Sequence, residues 1–400
     1  MRQAARLIDD GIFIRAVPIL EEAAGYNTAY TLTAEAELKS VYLALIDQSG
    51  FRRRYTGLLE KQMGRKDAQA SIFAEAAGFY LSVSRITDAL TVLRTGIERT
   101  GSGELAELYE KNRYAFETNR TSYEYVSAIH GATVQVRTGG LWGIAGADGV
   151  LMIPCEYERI STFSADRAIA RKNDEIFAVD RNNNRIALLH EGAEDFGNYA
   201  ENRIPLLIGG NWLRATGEFT LGTILFEMIG TYSEGSAAAK VNGKWGVIDM
   251  SSNWIVPAEF DGIIQDELGR CYAQGAVFVR KDGAVYLFTG GRQADGSFED
   301  ARPFSAEGFA AVKRNGKWGF IDVNGTNMID YLYDDALSFG QHLAAVKSGE
   351  YWGYVSMLGH VVIEPAFLEA KSFSNGSAPV LTQRGWQFIT LLEYKKGASL

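Results

Sequence analysis

The sequence has two cysteines, four histidines and seven prolines in 400 residues, and it has no long apolar run. Cys155 and Cys271 lie far apart and neither belongs to a Cys-x-x-Cys pair. That excludes a disulfide framework and a zinc ribbon, and it fits a reducing compartment. The most apolar stretches, such as Ile204–Ile208 and Thr223–Ile229, fall far short of the ~20 residues a membrane helix needs. The opening segment places Asp9 and Asp10 where a signal peptide requires an unbroken apolar core. We therefore expect a cytoplasmic protein without membrane insertion. Cationic charge is also short: 40 Lys and Arg against 49 Asp and Glu leave a net charge of −9. Affinity for a phosphate backbone or an anionic bilayer depends on cationic neutralisation, so nucleic acid is excluded as a main partner.

Against those absences stand 43 glycines and 12% aromatic residues, the composition of many tight turns between short, aromatic-rich strands. The chain is also longer than the roughly 250–300 residues at which one core stops growing, so two domains are expected.

From Met1 to Arg120 apolar residues recur at helical spacing, as in Leu90, Leu93 and Ile97, without sustained alternation. Residues 1–120 are expected to be α-helical. Phe73, Ala76, Ala77, Tyr80, Ala89, Leu93 and Gly96 put small residues where paired helices approach closely, and this spacing resembles a tetratricopeptide repeat. Ala4, Leu7, Ala16, Leu20 and Ala23 echo the pattern, whereas Leu38–Leu59 matches poorly. The resemblance implies a docking arm for extended peptides or helices; a plain helical bundle is the alternative. Glu104–Glu117 reads as a capping helix.

From residue 122 to about 395 a cassette recurs, clearest at Phe304–Tyr333. Trp142, Trp245, Trp318, Trp352 and Trp386 share one slot, and Gly143, Gly246, Gly319 and Gly353 follow the first four. Eleven residues after those four tryptophans stand Ile153, Val256, Ile329 and Ile363; fifteen after stand Tyr157, Phe260, Tyr333 and Phe367. Turn pairs such as Asn242-Gly243 and Asn315-Gly316 sit between alternating segments, as hairpins require. Ile176, Trp212 and Val285 fill the gaps in the series, with Trp212 resting mainly on spacing. Successive slots then lie 34, 36, 33, 40, 33, 34 and 34 residues apart, which makes eight units. Each unit reads as a three-stranded meander with room for a very short fourth strand.

The recurring Trp-Gly, Ile/Val-Asp, Pro and Tyr/Phe-Asp elements are similar to the WG (KWG) repeat family of bacterial proteins, over residues 122–395. The resemblance implies a shape and no activity. The last unit stops after Trp386-Gln387-Phe388-Ile389 without the strand that every strong unit has. Tyr123–Ser127 is expected to supply it, because closure by an N-terminal strand buries both open edges of a propeller. The expected fold is thus a helical region, 1–120, followed by an eight-bladed β-propeller, 122–395, with an open β-superhelix as the alternative.

Catalytic signatures are missing. No nucleophile elbow, P-loop or dinucleotide fingerprint occurs, and His130, His190, His342 and His360 are scattered over different units. His190-Glu191 does not continue to a second histidine. Asp180, Asn182, Asn184 and Glu191 follow a calcium-loop count, but Arg185 takes the glycine position, so a polar turn is the plainer reading. Glu156, Glu158, Asp261 and Asp334 belong to repeat slots, and repetition argues for structure. The tryptophans beside glycine read as core; stacking platforms for sugars or bases are the alternative. No catalytic, metal or cofactor residue is assigned. The expected function is a monomeric protein-interaction scaffold with a protein partner. The alternatives are a binder of a small molecule, glycan or envelope component in the channel, fed by Ile176–Ser233 and Cys271–Gly296, and an enzyme using carboxylates there.

Overall fold

The computed structural model describes residues 1–26, 28–188 and 192–394, and the chain divides into two compact units, Met1–Ala115 and Phe116–Leu400. The first unit holds seven helices among its described residues: Arg2–Asp9, Phe13–Gly25, Thr31–Ala44, Phe51–Met63, Ala70–Ser82, Ile86–Thr100 and Gly103–Asn112. Two clusters fill it, one built on Leu20, Leu38, Tyr55 and Leu59, the other on Phe73, Tyr80, Leu93 and Leu105. Small residues mark the close approaches. A Cβ on Gly96 would lie 2.7 Å from Leu105 and 2.8 Å from Phe73. Glu35 is fully buried on the third helix, where Arg65 at 2.6 Å, Lys61 at 3.2 Å and Gln62 at 3.0 Å face its carboxylate. Burial pushes that carboxyl up, but these partners outweigh it and hold it below the ordinary range. The last helix ends at Asn112, so the capping helix expected over Glu104–Glu117 is shorter, and Glu117 lies in a strand.

The second unit is an eight-bladed β-propeller. Its strands form eight antiparallel sheets among the described residues, blades 1 to 8 in chain order: 125–157, 159–188, 193–216, 228–260, 262–293, 300–333, 335–367 and 369–391, the last completed by 116–120. Blade 6 is typical: Asp300–Ala301, Phe309–Arg314, Lys317–Asp322 and Asn327–Tyr333 pair in chain order. The first strand has only two residues, too short to leave an alternating pattern. Asn315 and Gly316 both take positive φ, 51° and 77°, in the hairpin between the second and third strands. The sequence spacings have a direct cause in the register. The fifteen-residue spacing is a cross-strand pair, Trp318 opposite Tyr333, and the eleven-residue spacing brings Ile329 opposite Phe320. Blades 1, 4 and 7 repeat both pairs. The Trp212 unit is blade 3, with three strands, Ala193–Phe196, Arg203–Ile208 and Asn211–Thr216, and isolated bridges from Trp212 to Phe226 and from Ala215 to Leu221.

The ring closes, but not with the strand expected. Phe116–Arg120 pairs antiparallel with Gly385–Leu391, from Phe116 opposite Leu391 to Arg120 opposite Gln387. Tyr125–Val126 is instead the first strand of blade 1, pairing with Arg137 and Val136. Tyr123–Ser127 does resemble Tyr157–Ser161, but that segment is the join between one blade's fourth strand and the next blade's first. The closing strand must therefore precede Tyr123. The β unit accordingly begins at Phe116, inside the segment the sequence assigned to helices.

Candidate functional site

The repeated residues have structural work to do. Trp318, Trp352 and Trp386 are buried, while Trp142 and Trp245 are half-buried and pack against their blades' clusters. Three of the ring faces are covered by cations: Arg302 over Trp318 at 4.3 Å, Arg137 over Trp142 at 5.5 Å and Lys371 over Trp386 at 5.7 Å. The glycine after the tryptophan makes room for backbone, and that backbone belongs to the same blade rather than to a neighbouring one. The fourth strand bulges over it, so a Cβ on Gly143, Gly246, Gly319 or Gly353 would lie 2.4, 2.4, 2.7 or 2.5 Å from a carbonyl oxygen of that strand. Gln387 stands where Gly would be expected in blade 8, and there the pairing with Phe116–Arg120 runs without a bulge.

Acidic repeat positions cap turns. Glu158 accepts from the backbone N–H of Asn173 at 2.9 Å, Asp261 from Asp282 at 2.9 Å and Asp334 from Gly349 at 2.7 Å. Lys244 and Lys317 add ion pairs to Asp261 and Asp334, whose carboxyls sit below the ordinary range chiefly through those lysines. Glu156 is tied to Lys172 at 2.7 Å and to Asn183 at 2.8 Å. Asp180 accepts from the N–H groups of Asn182 and Asn184, as Asp249 does from Ser251 and Asn253. The calcium-like segment is therefore a repeated polar turn; its remaining member, Glu191, lies outside the described residues, as does His190. His342 and His360 are exposed and both belong to blade 7, so the histidines are not each in a different unit as expected.

What the repeat does not dictate lies at the ring axis. The segments that follow the first strands converge there, and those of blades 1 and 4 to 8 line one cavity of about 650 Å³. Six residues lie between the end of the first strand and the start of the second in blade 2, Ile160 to Arg167, but twelve in blade 5, Ile263 to Ala276. Those six additional residues produce the 40-residue spacing, and they form a plug, Gln265–Arg270. Asp266 holds its turn by accepting from Leu268 and Arg270 N–H groups at 3.0 and 2.9 Å, and Arg270 returns a side-chain bond at 2.7 Å. The Leu268 carbonyl accepts from Asn198 of blade 3 at 3.0 Å and from Thr231 of blade 4. Glu267 accepts from the Ala128 N–H of blade 1 and pairs with Lys371 of blade 8 at 2.6 Å, so it ties the first blade to the last. Lys371 is buried. Burial pulls its pKa down, but Glu267 and Glu369 outweigh this, and it stays charged and raised.

The cavity lining carries six carboxylates, from Glu234, Asp266, Glu267, Glu307, Asp335 and Glu369, against three cations, and each cation is already paired. The thiol of the lining, Cys271, and the imidazole nearest the plug, His130, are poorly poised for chemistry. Cys271 is fully buried, and burial pushes its thiol up to about 12. His130, beside the plug, is driven down to about 4 by burial and by the charge of Arg270, so it is neutral at pH 7. Nothing in the sequence identified Glu267 or Lys371; the only available signal was the lengthened spacing.

No helix among the described residues is long and apolar enough to cross a membrane. The family model described as WG containing repeat matches residues 142–175, 223–245, 245–283, 296–318, 318–352 and 352–385. No curated protein matches the chain in sequence. Among solved structures it is similar to a eukaryotic initiation factor, with 10% identity and a TM-score of 0.43 over 70% of this chain and 88% of that one. It is similar also to Hsv2p of Kluyveromyces lactis, with 11% identity and a TM-score of 0.39 over 58% and 92%. PorZ of Porphyromonas gingivalis gives 12% identity and a TM-score of 0.37 over 66% and 42%. With TM-scores below 0.5, these likenesses carry nothing over to this chain.

Proposed function

The β unit of this chain belongs to the family of WG-containing repeats, and from that premise we propose that the protein is a non-catalytic scaffold that binds a protein partner at the plugged mouth of its channel. The observation that carries the reading is the acid-rich cavity at the axis, whose cations are all consumed by internal ion pairs. A surplus of carboxylates over free cations favours a partner segment bearing Lys or Arg, steered in by complementary charge. The helical unit, with its tetratricopeptide-like spacing, supplies a second surface for a protein, and the reduced cysteines and acidic charge suit the cytoplasm. Neutral His130 and the protonated Cys271 argue against acid–base or thiolate chemistry at this site.

The test is co-purification from the native host of the full chain and of a Glu234→Lys/Glu307→Lys variant whose melting matches the parent. The expected result is a stoichiometric protein partner that is lost on charge reversal and at high salt. A partner held equally by both chains, or none at all, overturns the proposal. A second reading, a small molecule or glycan in the channel, draws on the cavity's volume, which falls in the ~300–1,000 Å³ range of ligand pockets. A bound small mass in native mass spectrometry would favour it.

A further inference from the structure

Blade 3 breaks the repeat where every other blade buries hydrocarbon. Two residues past the tryptophan slot stand Ile144, Ala178, Val247, Leu287, Phe320, Tyr354 and Phe388 in the other seven blades, each 2% exposed or less. Blade 3 has Arg214 there. In these strands that position faces the next blade, as Ile144 does in packing on Ala168 and Phe177 of blade 2. Pairing of Arg203 with Thr216 and of Pro205 with Arg214 puts Arg203 on the same face. The opposite face, through Ile204, Leu206 and Ala215, packs on Ile169 and Ala178 of blade 2.

Tyr232, at the entrance to blade 4, is 1% exposed, and its hydroxyl has no hydrogen-bond partner. The buried Nε groups of Arg203 and Arg214 have none either. Met250 and Trp212 pack against the cluster that holds Tyr232, and Arg214 donates to the Met250 carbonyl, so the blade-3 face that carries Arg214 and Arg203 meets Tyr232 at this junction. Burial pushes the Tyr232 phenol up to about 12, and the charges of Arg214 and Arg203 both act on it in the opposite sense. At neutral pH the phenol is thus a donor. The arginines otherwise donate only to backbone, Arg214 to the Met250 carbonyl and Arg203 to that of Asn202 at 2.9 Å, and neither forms an ion pair with a carboxylate among the described residues. Asp249 also acts on Tyr232 and Arg214, but its oxygens are engaged by Ser251 and Asn253. Buried donors without acceptors are costly, and two half-buried guanidinium groups beside one carboxylate already engaged elsewhere add to that cost. The group that satisfies all three is an anionic acceptor with several oxygens, the geometry a guanidinium prefers.

We propose that the junction of blades 3 and 4 is an oxyanion site, in which Arg203, Arg214 and the Tyr232 hydroxyl bind a carboxylate or phosphate group. Thermal melting of the full chain, titrated at constant ionic strength with inorganic phosphate or with acetate against a chloride control, tests it. Saturable stabilisation by either anion is expected, and which of the two acts assigns the group. Arg214→Met restores the apolar residue type of the other blades, so it should melt at or above the parent without added anion and lose the response. Tyr232→Phe removes an unpartnered hydroxyl, so it should keep the parent's melting without anion and weaken anion binding about tenfold or more. If Arg214→Met fails to fold, Tyr232→Phe decides. No response in the parent, as when water alone fills the junction, or the same response in the folded variants, overturns the site.

Discussion

Replacing Gly353 by Ala adds one methyl group to a place where it has nowhere to go. The Cβ would lie 2.5 Å from the Ile363 carbonyl oxygen, 2.7 Å from the Pro365 nitrogen and 2.9 Å from the Glu364 carbonyl carbon. Comfortable contact begins at about 3.5 Å, so the bulge must lift by roughly 1 Å. All three atoms are backbone, so no side-chain rotation relieves the clash. The pairs Trp352 with Phe367 and Tyr354 with Ile363 pin the bulge on both sides. Overpacking of this kind costs about 1–3 kcal/mol, and the pinned backbone puts it at the upper end. The lower chain entropy of Ala returns about 0.5–1 kcal/mol, leaving a net loss of about 2 kcal/mol and a fall in Tm of roughly 4 °C or more. Blade 8 supplies the converse, since Gln387 already carries a side chain beneath an unbulged strand. Gln387→Gly should therefore destabilise by about 0.5–1 kcal/mol instead of relieving anything. Urea and thermal denaturation of the full chain, followed by tryptophan fluorescence and far-ultraviolet circular dichroism, read both. Parent-like melting of Gly353→Ala, or stabilisation by Gln387→Gly, would refute the bulge as the reason for the glycine.

Trp318→Ala removes a buried indole and should cost about 3–5 kcal/mol, with binding lost only as folding is lost; parent-like melting with binding abolished would make the tryptophans ligand platforms. Thr118→Pro interrupts the closing strand opposite Ile389, and the uncovered Gly385–Leu391 edge should drive aggregation on warming. Light scattering that tracks the parent's would contradict this. His130 titrates near 4 when folded against an ordinary 6.5, so the unfolded chain takes up the proton first. Its stabilising contribution is present above pH 6.5 and falls away towards pH 4, by up to about 3 kcal/mol. His130→Gln should flatten the stability profile across that window, and parallel profiles would exclude the role.

The repeat was legible because cross-strand pairing converts a fixed register into fixed sequence intervals, as with Trp318, Ile329 and Tyr333. Two-residue strands such as Asp300–Ala301 leave no alternation to read, so the first strand of every blade but blade 3 was invisible. The closing strand was misplaced because Phe116–Arg120 lacks the Ile/Val-Pro signature of the fourth strands, and it lacks that signature because Gln387 admits no bulge. The plug was visible only as six surplus residues: where Gln265–Arg270 folds is decided by Asn198, Thr231, Ala128 and Lys371, none near it in sequence. Arg214 could have been noticed as a charge in an apolar slot, but its weak unit concealed the slot.

The seam between Phe116–Arg120 and Gly385–Leu391 also sets a timetable for synthesis. Each blade's hairpins join neighbours in sequence and can form as the chain leaves the ribosome, but Arg120 and Gly385 are 265 residues apart. At about 5–20 residues per second the first strand waits roughly 13–53 s for its partner. For that interval it is a nascent edge in a crowded cell. Its sequence, Phe-Glu-Thr-Asn-Arg, carries a charge of each sign and two polar residues in five, the composition that discourages a strand from pairing with a stranger before its own partner is made.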